Sequence, residues 1–358
     1  MENQRMNSSL INRRQSLKLL STAAVAVTLP FANSEAAFQE SETSRSPTHL
    51  DTFALLAAGK KIPVIFDSDM GTDIDDTWAL LYLLKCPELD LKLVACDNYL
   101  GQYRAKLTAK FLAACNRSDV PVAISHGGQD GKSHQQDWVG DYDLNAYAGE
   151  VFPDAADATI KIIKNSPDPV TLICVGAVPN IAEALRRDPT IVENARFVGM
   201  HGSIDVGYGG SETPVAEANV RTDPKSLRET LAAKWQCSIT PLDTCGLLDF
   251  SGDRYQRIVN SDAVGVKPLL ENYESWLNRV DWLDTKPDPK KKSSTLFDVV
   301  AVYMAFSEDF LKMEDIKIEI TDEGMTPLDA NGYSVRCASQ WRDFDGFKDS
   351  VVERLTKK

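Results

Sequence analysis

At 358 residues, with 43% hydrophobic and 25% charged residues, the chain has the composition of a globular protein with a full apolar core. A formal net charge of -13 argues against a nucleic-acid partner, because binding to a phosphate backbone draws on clustered Lys and Arg. Seven cysteines without a Cys-x-x-Cys spacing, most of them in apolar runs, read as small core residues and not as a zinc site or a disulfide framework.

Residues 1–37 form a segment of their own. Asn12-Arg13-Arg14 precedes an apolar stretch over 19–31 and then small residues around Ser34-Glu35-Ala36-Ala37, the layout of a secretory signal. The paired arginines make it similar to a twin-arginine signal, which predicts bacterial export to the periplasm or beyond. The apolar core is too short to span a bilayer comfortably, so no stable membrane insertion is expected after cleavage. Residues 38–60 read as a polar lead-in, and 61–358 as one domain.

That domain opens on an apolar, β-branched run over 62–66, suited to a strand buried on both faces. It breaks into Asp67-Ser68-Asp69-Met70-Gly71-Thr72-Asp73-Ile74-Asp75-Asp76, five aspartates within ten residues, and a helix follows over 75–84. Asp67 and Asp69 share one side of an extended chain, and Asp73 and Asp76 share one face of a helical turn. Two unit charges ~4 Å apart repel by about 4 kcal/mol at an effective dielectric of ~20, whereas a helix N-terminus offsets only about 0.3–1 kcal/mol per charge. A cation resolves that conflict, and oxygen ligands without nearby His or Cys favour Ca²⁺ or Mg²⁺ over zinc. The bland alternative is a solvated acidic loop that caps a helix.

Further strands are expected over 91–96, 121–125, 169–175, 196–200 and 236–240, with helices over 104–115 and 155–165 and, after the segment 176–182, one running to about Arg187. This alternation predicts an α/β fold, an open, doubly wound, mainly parallel sheet whose crevice lies at the carboxyl ends of the strands. Asp67, Asp69, Gln102, Pro179, Asn180, His201 and Asp243 all fall at such ends.

The acidic motif resembles the signature of the inosine-uridine-preferring nucleoside hydrolase family, usually Asp-x-Asp-x-Gly-x-Asp-Asp, with two extra residues here before the final pair. Five further segments follow in that family's order: Gly176 to Ala182, Val198 to Gly202, Thr213-Pro214 to Glu217-Ala218-Asn219, Pro241-Leu242-Asp243-Thr244, and Asp298 opening a helix. The resemblance covers roughly residues 61–350 and implies a Rossmann-like core. It also implies hydrolysis of the N-glycosidic bond of ribonucleosides by a Ca²⁺-bound water. Carried over by position, Asp69 would be the catalytic base and a metal ligand, with Asp76, Asp298 and the carbonyl of Pro179 completing the metal set. Asp75, Glu217 and Asn219 would hold the ribose, Asp67 would support the site, and Asp73, in the inserted pair, has no counterpart.

Three departures shape the specificity. Phe297 stands where many relatives carry a histidine acid for the leaving base, which favours purines through stacking, with Trp138 as a candidate second stacking partner. Ser211 replaces an asparagine on the 5′-hydroxyl side, and Gln102 replaces an asparagine after the second strand. His126, His134 and His201 fit no metal-ligand spacing and read as loop or structural histidines. Family members are commonly dimers or tetramers. Two alternatives stay open: a non-catalytic exported Ca²⁺-dependent binder of sugars or nucleosides, and, less favoured, a haloacid-dehalogenase-type phosphatase built on Asp67 and Asp69.

Overall fold

The computed structural model describes residues 51–128 and 131–358. The export signal expected over 1–37, and the lead-in as far as residue 50, lie outside the described residues. The last part of the lead-in is helical: α1 (Phe53–Ala57) precedes β1 (Ile62–Ser68).

Chain order then runs α2 (Asp75–Leu84), β2 (Leu89–Cys96), α3 (Gly101–Ala114), β3 (Val122–Ala123), α4 (Gln136–Val139), β4 (Val151–Phe152), α5 (Ala155–Asn165), β5 (Val170–Cys174) and α6 (Pro179–Arg187). It continues through β6 (Ala195–Met200), α7 (Ala218–Thr222), α8 (Pro224–Ala232), β7 (Cys237–Thr240), α9 (Gly252–Val259), α10 (Val266–Arg279) and α11 (Val299–Met304). It closes with β8 (Leu311–Ile318), β9 (Tyr333–Trp341) and α12 (Phe344–Thr356).

The nine strands form one sheet in the order β4-β3-β2-β1-β5-β6-β7-β9-β8. All neighbours pair in parallel except β8, which runs antiparallel to β9 at the edge. The α/β class and the mainly parallel sheet are as the sequence predicts.

Every residue of β1 is buried, and its side chains divide between the two layers. Ile62, Val64 and Phe66 enter the core shared with α2, α10, α11 and α12. Ile65 enters the opposite core, with α5, α6 and α8. A strand sandwiched between helices needs apolar side chains at every position, which explains the unbroken run. From β1 the chain winds outward through β2, β3 and β4, then returns to build β5 on the other side of β1. The winding therefore reverses between β1 and β5, where open α/β sheets have their crevice.

All seven cysteines are buried and unbridged, in keeping with a core role. No described helix is long and apolar enough to cross a membrane. The β8–β9 pair and α12 were not anticipated. β8 is a charged edge strand with most positions half-exposed or exposed, Leu311-Lys312-Met313-Glu314-Asp315-Ile316-Lys317-Ile318, and such a pattern carries little periodicity to read.

Candidate active site

β1 delivers Asp67 into the centre of the sheet, fully buried, and Asp69 follows in the loop. The loop turns at Gly71, which has φ of 100°, and a Cβ there would lie 2.5 Å from the Tyr103 ring. Only glycine fits both constraints. α2 then begins with Asp75 and Asp76 in its first turn, where the positive end of the helix dipole faces them. The Ser68 hydroxyl donates to Asp76 Oδ1 at 2.6 Å, so the strand end orients a carboxylate from the helix. Asp298 reaches the same point from the start of α11.

Asp75, Asp76 and Asp298 each offer an oxygen, and these atoms lie within 4.8 Å of one another. The three residues are only 5%, 2% and 3% exposed. Burial pushes all three carboxyls well above the usual carboxylate range, and the charges of their acidic neighbours push them further. Converging buried carboxylates must either hold protons or share a cation. An all-oxygen donor set of this kind suits a hard ion such as Ca²⁺.

Of the residues expected to hold the metal (Asp69, Asp76, Asp298 and Pro179), the structure brings Asp76 and Asp298 together, with Asp75, expected at the ribose, standing among the converging carboxylates. Asp69 lies beside the group, its charge raising the carboxyls of Asp75, Asp76 and Asp298. Its own Oδ2 is 3.8 Å from Arg104 Nη2. Asp73, which matched no position of the family motif, belongs to the same acidic group: burial first and Asp69 next raise its carboxyl to about 7, against the amide of Ile74, which donates to Oδ1 at 2.6 Å.

Pro179 opens α6, where a missing N–H costs nothing. Ahead of it Val178 adopts a left-handed conformation, φ 60° and ψ 26°, which is costly for a β-branched residue. Two carboxylates hold this turn. Asp97 Oδ2 accepts from the Val178 amide at 3.0 Å. Asn180 Nδ2 donates to Asp67 Oδ2 at 2.9 Å and to the Cys96 carbonyl at 2.8 Å. Asp67 therefore supports the turn from the buried side.

The residues expected at the sugar separate into two groups. Glu217 is 2% exposed and caps α7, accepting from the amides of Asn219 at 2.8 Å, Val220 at 3.2 Å and Gly202 at 3.3 Å. Burial outweighs those bonds and raises its carboxyl to about 7. Asn219 Nδ2 donates to the carbonyls of Val175 at 3.0 Å and Met200 at 3.1 Å, tying together the ends of β5 and β6. Both sit at the carboxyl edge of the sheet. Ser211 and Gln102 do not join them. Ser211 is exposed and closes a turn, its Oγ accepting from the Thr213 amide at 3.2 Å. Gln102 is exposed in the first turn of α3. In the helix α3 the buried face is taken by Gly101, Arg104 and Ala105, which leaves Gln102 on the outer face, a placement that counting from the strand end does not register.

Phe297 is half-buried and meets Tyr208 edge to face, ring centroids 5.8 Å apart. The Tyr208 hydroxyl accepts from the amide of Ala218, next to Glu217, at 2.9 Å. The aromatic pair thus bridges from Asp298 to Glu217, and Tyr208 is 41% exposed. Trp138 does not serve as the second aromatic wall: Phe111 packs edge-on against it, the Lys110 ammonium covers its ring at 4.5 Å, and its Nε1 donates to Glu271 at 3.1 Å. Two of the histidines hold backbone carbonyls and the third lies on the surface. His201 Nε2 bonds the Gly176 carbonyl at 2.9 Å, and burial lowers it to about 4. His134 Nδ1 bonds the Thr72 carbonyl at 2.9 Å. His126 is exposed beside Asp154. Asp243, unassigned by its sequence context, accepts from the amides of Ile204 and Asp205 at 2.9 and 2.8 Å and so anchors that loop.

Three residues escaped the sequence reading. Asp97 follows directly on β2 as Asp67 approaches the end of β1, so the strand-end rule applied there too would have found it. Tyr208 stands in a glycine-rich turn with no periodic signal. Arg104 lies on a helix in which nothing distinguishes a buried arginine from a solvated one.

The family described as inosine-uridine preferring nucleoside hydrolase matches residues 64–349. The pyrimidine-specific ribonucleoside hydrolase RihA of Enterobacter sp. (strain 638) is 28% identical over 242 residues, covering 62% of this chain and 74% of that protein. RihA of Salmonella newport (strain SL254) is 29% identical over 238 residues, with the same shares of 62% and 74%. Among solved structures, a plant nucleoside hydrolase, PpNRh1, aligns with a TM-score of 0.69 at 17% identity, over 83% of this chain and 99% of that one. A purine-preferring ribonucleoside hydrolase from Gardnerella vaginalis gives 0.66 at 19%, over 82% and 98%. At these identities the structural likeness speaks for the fold.

Proposed function

Because the chain belongs to the inosine-uridine preferring nucleoside hydrolase family and is an N-ribohydrolase cleaving the N-glycosidic bond of ribonucleosides, we propose that it does so with Ca²⁺ and with preference for purine nucleosides. The observation that carries the metal reading is the buried meeting of Asp75, Asp76 and Asp298. Asp69, Asp76, Asp298 and the Pro179 carbonyl would hold the ion, with Asp75 close enough to join them. When bound, Ca²⁺ supplies an electrostatic field that lowers the pKa of a water molecule beside it.

Asp69 acts as the base: it takes one proton from the attacking water as the oxygen bonds to the anomeric carbon and the bond to the base nitrogen breaks. Glu217, Asn219 and, in part, Asp75 orient the ribose and face the positive charge that develops on the ring. The departing base leaves with the electron pair of the broken bond and takes a proton at nitrogen from solvent water, while the proton held by Asp69 returns to solvent. Phe297 and Tyr208, whose rings meet edge to face, offer it an aromatic corner, one ring to stack on and the other to border its edge. The relatives named above include both pyrimidine-specific and purine-preferring proteins, so the preference rests on the aromatic pair.

The test is a product assay over purine and pyrimidine nucleosides, with and without Ca²⁺. Release of free base and ribose, faster for inosine than for uridine and abolished by chelation, is expected; activity indifferent to chelation, or faster on uridine, overturns the corresponding part. We also propose export through the twin-arginine-like segment, on the strength of Arg13-Arg14 and the apolar stretch behind them. Fractionation of cells expressing the chain and its Arg13→Lys, Arg14→Lys variant tests it. The same purified protein, by sedimentation, tests the dimer or tetramer expected from the resemblance.

A further inference from the structure

Arg104 is fully buried behind the acidic loop. Its Nε donates to the Tyr99 carbonyl at 2.7 Å. Nη1 donates to the carbonyl of Asp69 and, at 2.8 Å, to that of Met70. Nη2 donates to the Thr72 hydroxyl at 2.9 Å and stands 3.8 Å from Asp69 Oδ2. One guanidinium thereby grips three residues of the segment 69–72. Its neighbour Tyr103 lies over Gly71, the fourth. The first turn of α3 is thus a brace against the loop that carries the carboxylates.

A buried arginine costs several kcal/mol unless its charge and its donors are met. Here the donors are met by backbone oxygens, and the charge by carboxylates, since Arg104 favours the ionised forms of Asp76 and Asp97. Guanidinium geometry is what makes the grip possible: a planar fork reaches several acceptors at once, which an ammonium cannot. The contacts also fall where this chain departs from the family's usual motif, in the loop with two extra residues before Asp75-Asp76. A longer loop has more conformations to lose on closing around an ion. The brace removes that freedom in advance.

We propose that Arg104 is a positioning residue that pre-organises the lengthened acidic loop for its cation, through its bonds to the Asp69 and Met70 carbonyls and the Thr72 hydroxyl. This rests on the metal reading of the same site. The test uses Ca²⁺ calorimetry, nucleoside kinetics at saturating Ca²⁺ and hydrogen exchange of the amides of residues 69–74, on the wild-type chain, Arg104→Gln and Arg104→Lys. Partners behind metal ligands typically cost about 10- to 100-fold in affinity when removed, and that loss is expected for Arg104→Gln, with faster exchange at 69–74. At saturating Ca²⁺ kcat falls while KM for the nucleoside stays. Arg104→Lys, which keeps the charge and loses the fork, recovers only part of the affinity.

Calcium affinity within twofold of wild type together with unchanged exchange in Arg104→Gln overturns the proposal. Should Arg104→Gln fail to fold, Thr72→Val deletes a single acceptor and carries the same test: weaker Ca²⁺ binding supports the brace, and unchanged binding overturns it. A wild-type chain that binds no Ca²⁺ refutes the metal reading instead, and the brace is then decided by exchange alone.

Discussion

The carboxylate of Asp97, at the end of β2, accepts the amide hydrogen of Val178 across 81 residues of sequence, at 3.0 Å. That bond faces a left-handed valine whose conformation places the following Pro179 at the head of α6. The same carboxylate leaves no room for a side chain at position 176, where a Cβ would lie 2.4 Å from Asp97 Oδ2. Burial and the charge of Asp69 raise the Asp97 carboxyl to about 7, so the bond is made inside an acidic, desolvated environment.

If this bond sets the Pro179 carbonyl for a cation, Asp97→Ala weakens Ca²⁺ binding by about 10- to 100-fold, the usual range for residues behind the ligands. Gly176→Ala does the same by steric push. Titration calorimetry on both variants checks this, and an undiminished affinity in Asp97→Ala rules the role out.

Asp69→Asn keeps the volume and removes the proton acceptor. Loss of a general base lowers kcat by about 10²- to 10⁴-fold. The nucleoside still binds, so KM changes little. Steady-state kinetics with inosine at saturating Ca²⁺ decide the matter: a variant with kcat within tenfold of the parent leaves the base to another residue.

The Tyr208–Phe297 pair should act on the base alone. Stacking of a base on an aromatic side chain is worth about 1–3 kcal/mol by alanine substitution. Phe297→Ala and Tyr208→Ala therefore raise KM by roughly fivefold or more, and more for inosine than for uridine. Equal losses on both nucleosides would mean that the pair is a packing element of the rim.

Stability of the metal-free protein depends on pH through Glu217, whose carboxyl is raised from 4.5 to about 7 chiefly by burial. A raised carboxyl favours the protonated folded state. Its contribution is complete below pH 4.5 and is lost as pH climbs through 7, on the order of 3 kcal/mol at about 1.36 kcal/mol per pH unit. Thermal unfolding in chelator should show a falling Tm between pH 5 and pH 8, with a shallower fall in Glu217→Gln. Parallel curves for the two proteins would contradict it.

Added Ca²⁺ offsets that loss. At one hundred times its Kd, a ligand bound only by the folded state adds about 2.7 kcal/mol. Tm at pH 8 therefore rises with Ca²⁺ in the parent, and Asp298→Ala abolishes the rise.

Much of this molecule is legible along the chain because its signals are local. The uninterrupted run from Ile62 to Phe66 could only be a strand covered on both faces, and alternation with helices implied a parallel sheet with its crevice at the strand ends. Five aspartates in ten residues demanded compensation whatever their positions, since close charges repel wherever they lie. The β8–β9 edge pair was opaque for the opposite reason, as a half-exposed charged strand shows no regular alternation.

What folding alone decided is which of those groups meet. Asp298 lies more than two hundred residues from Asp75 and Asp76, yet their oxygens come within 4.8 Å, because α11 starts where the β1 loop ends. Gln102 and Ser211, aligned by motif, are turned outward by the helix start and the turn that hold them. Arg104 and Tyr208 gave no sign, since neither the burial of a cation nor the pairing of two rings leaves a pattern in neighbouring residues. Sequence determined that a strand, an acidic loop and a helix would form. Only packing chose the arginine that braces the loop and the pairing of Tyr208 with Phe297, because both depend on contacts between segments far apart in the chain.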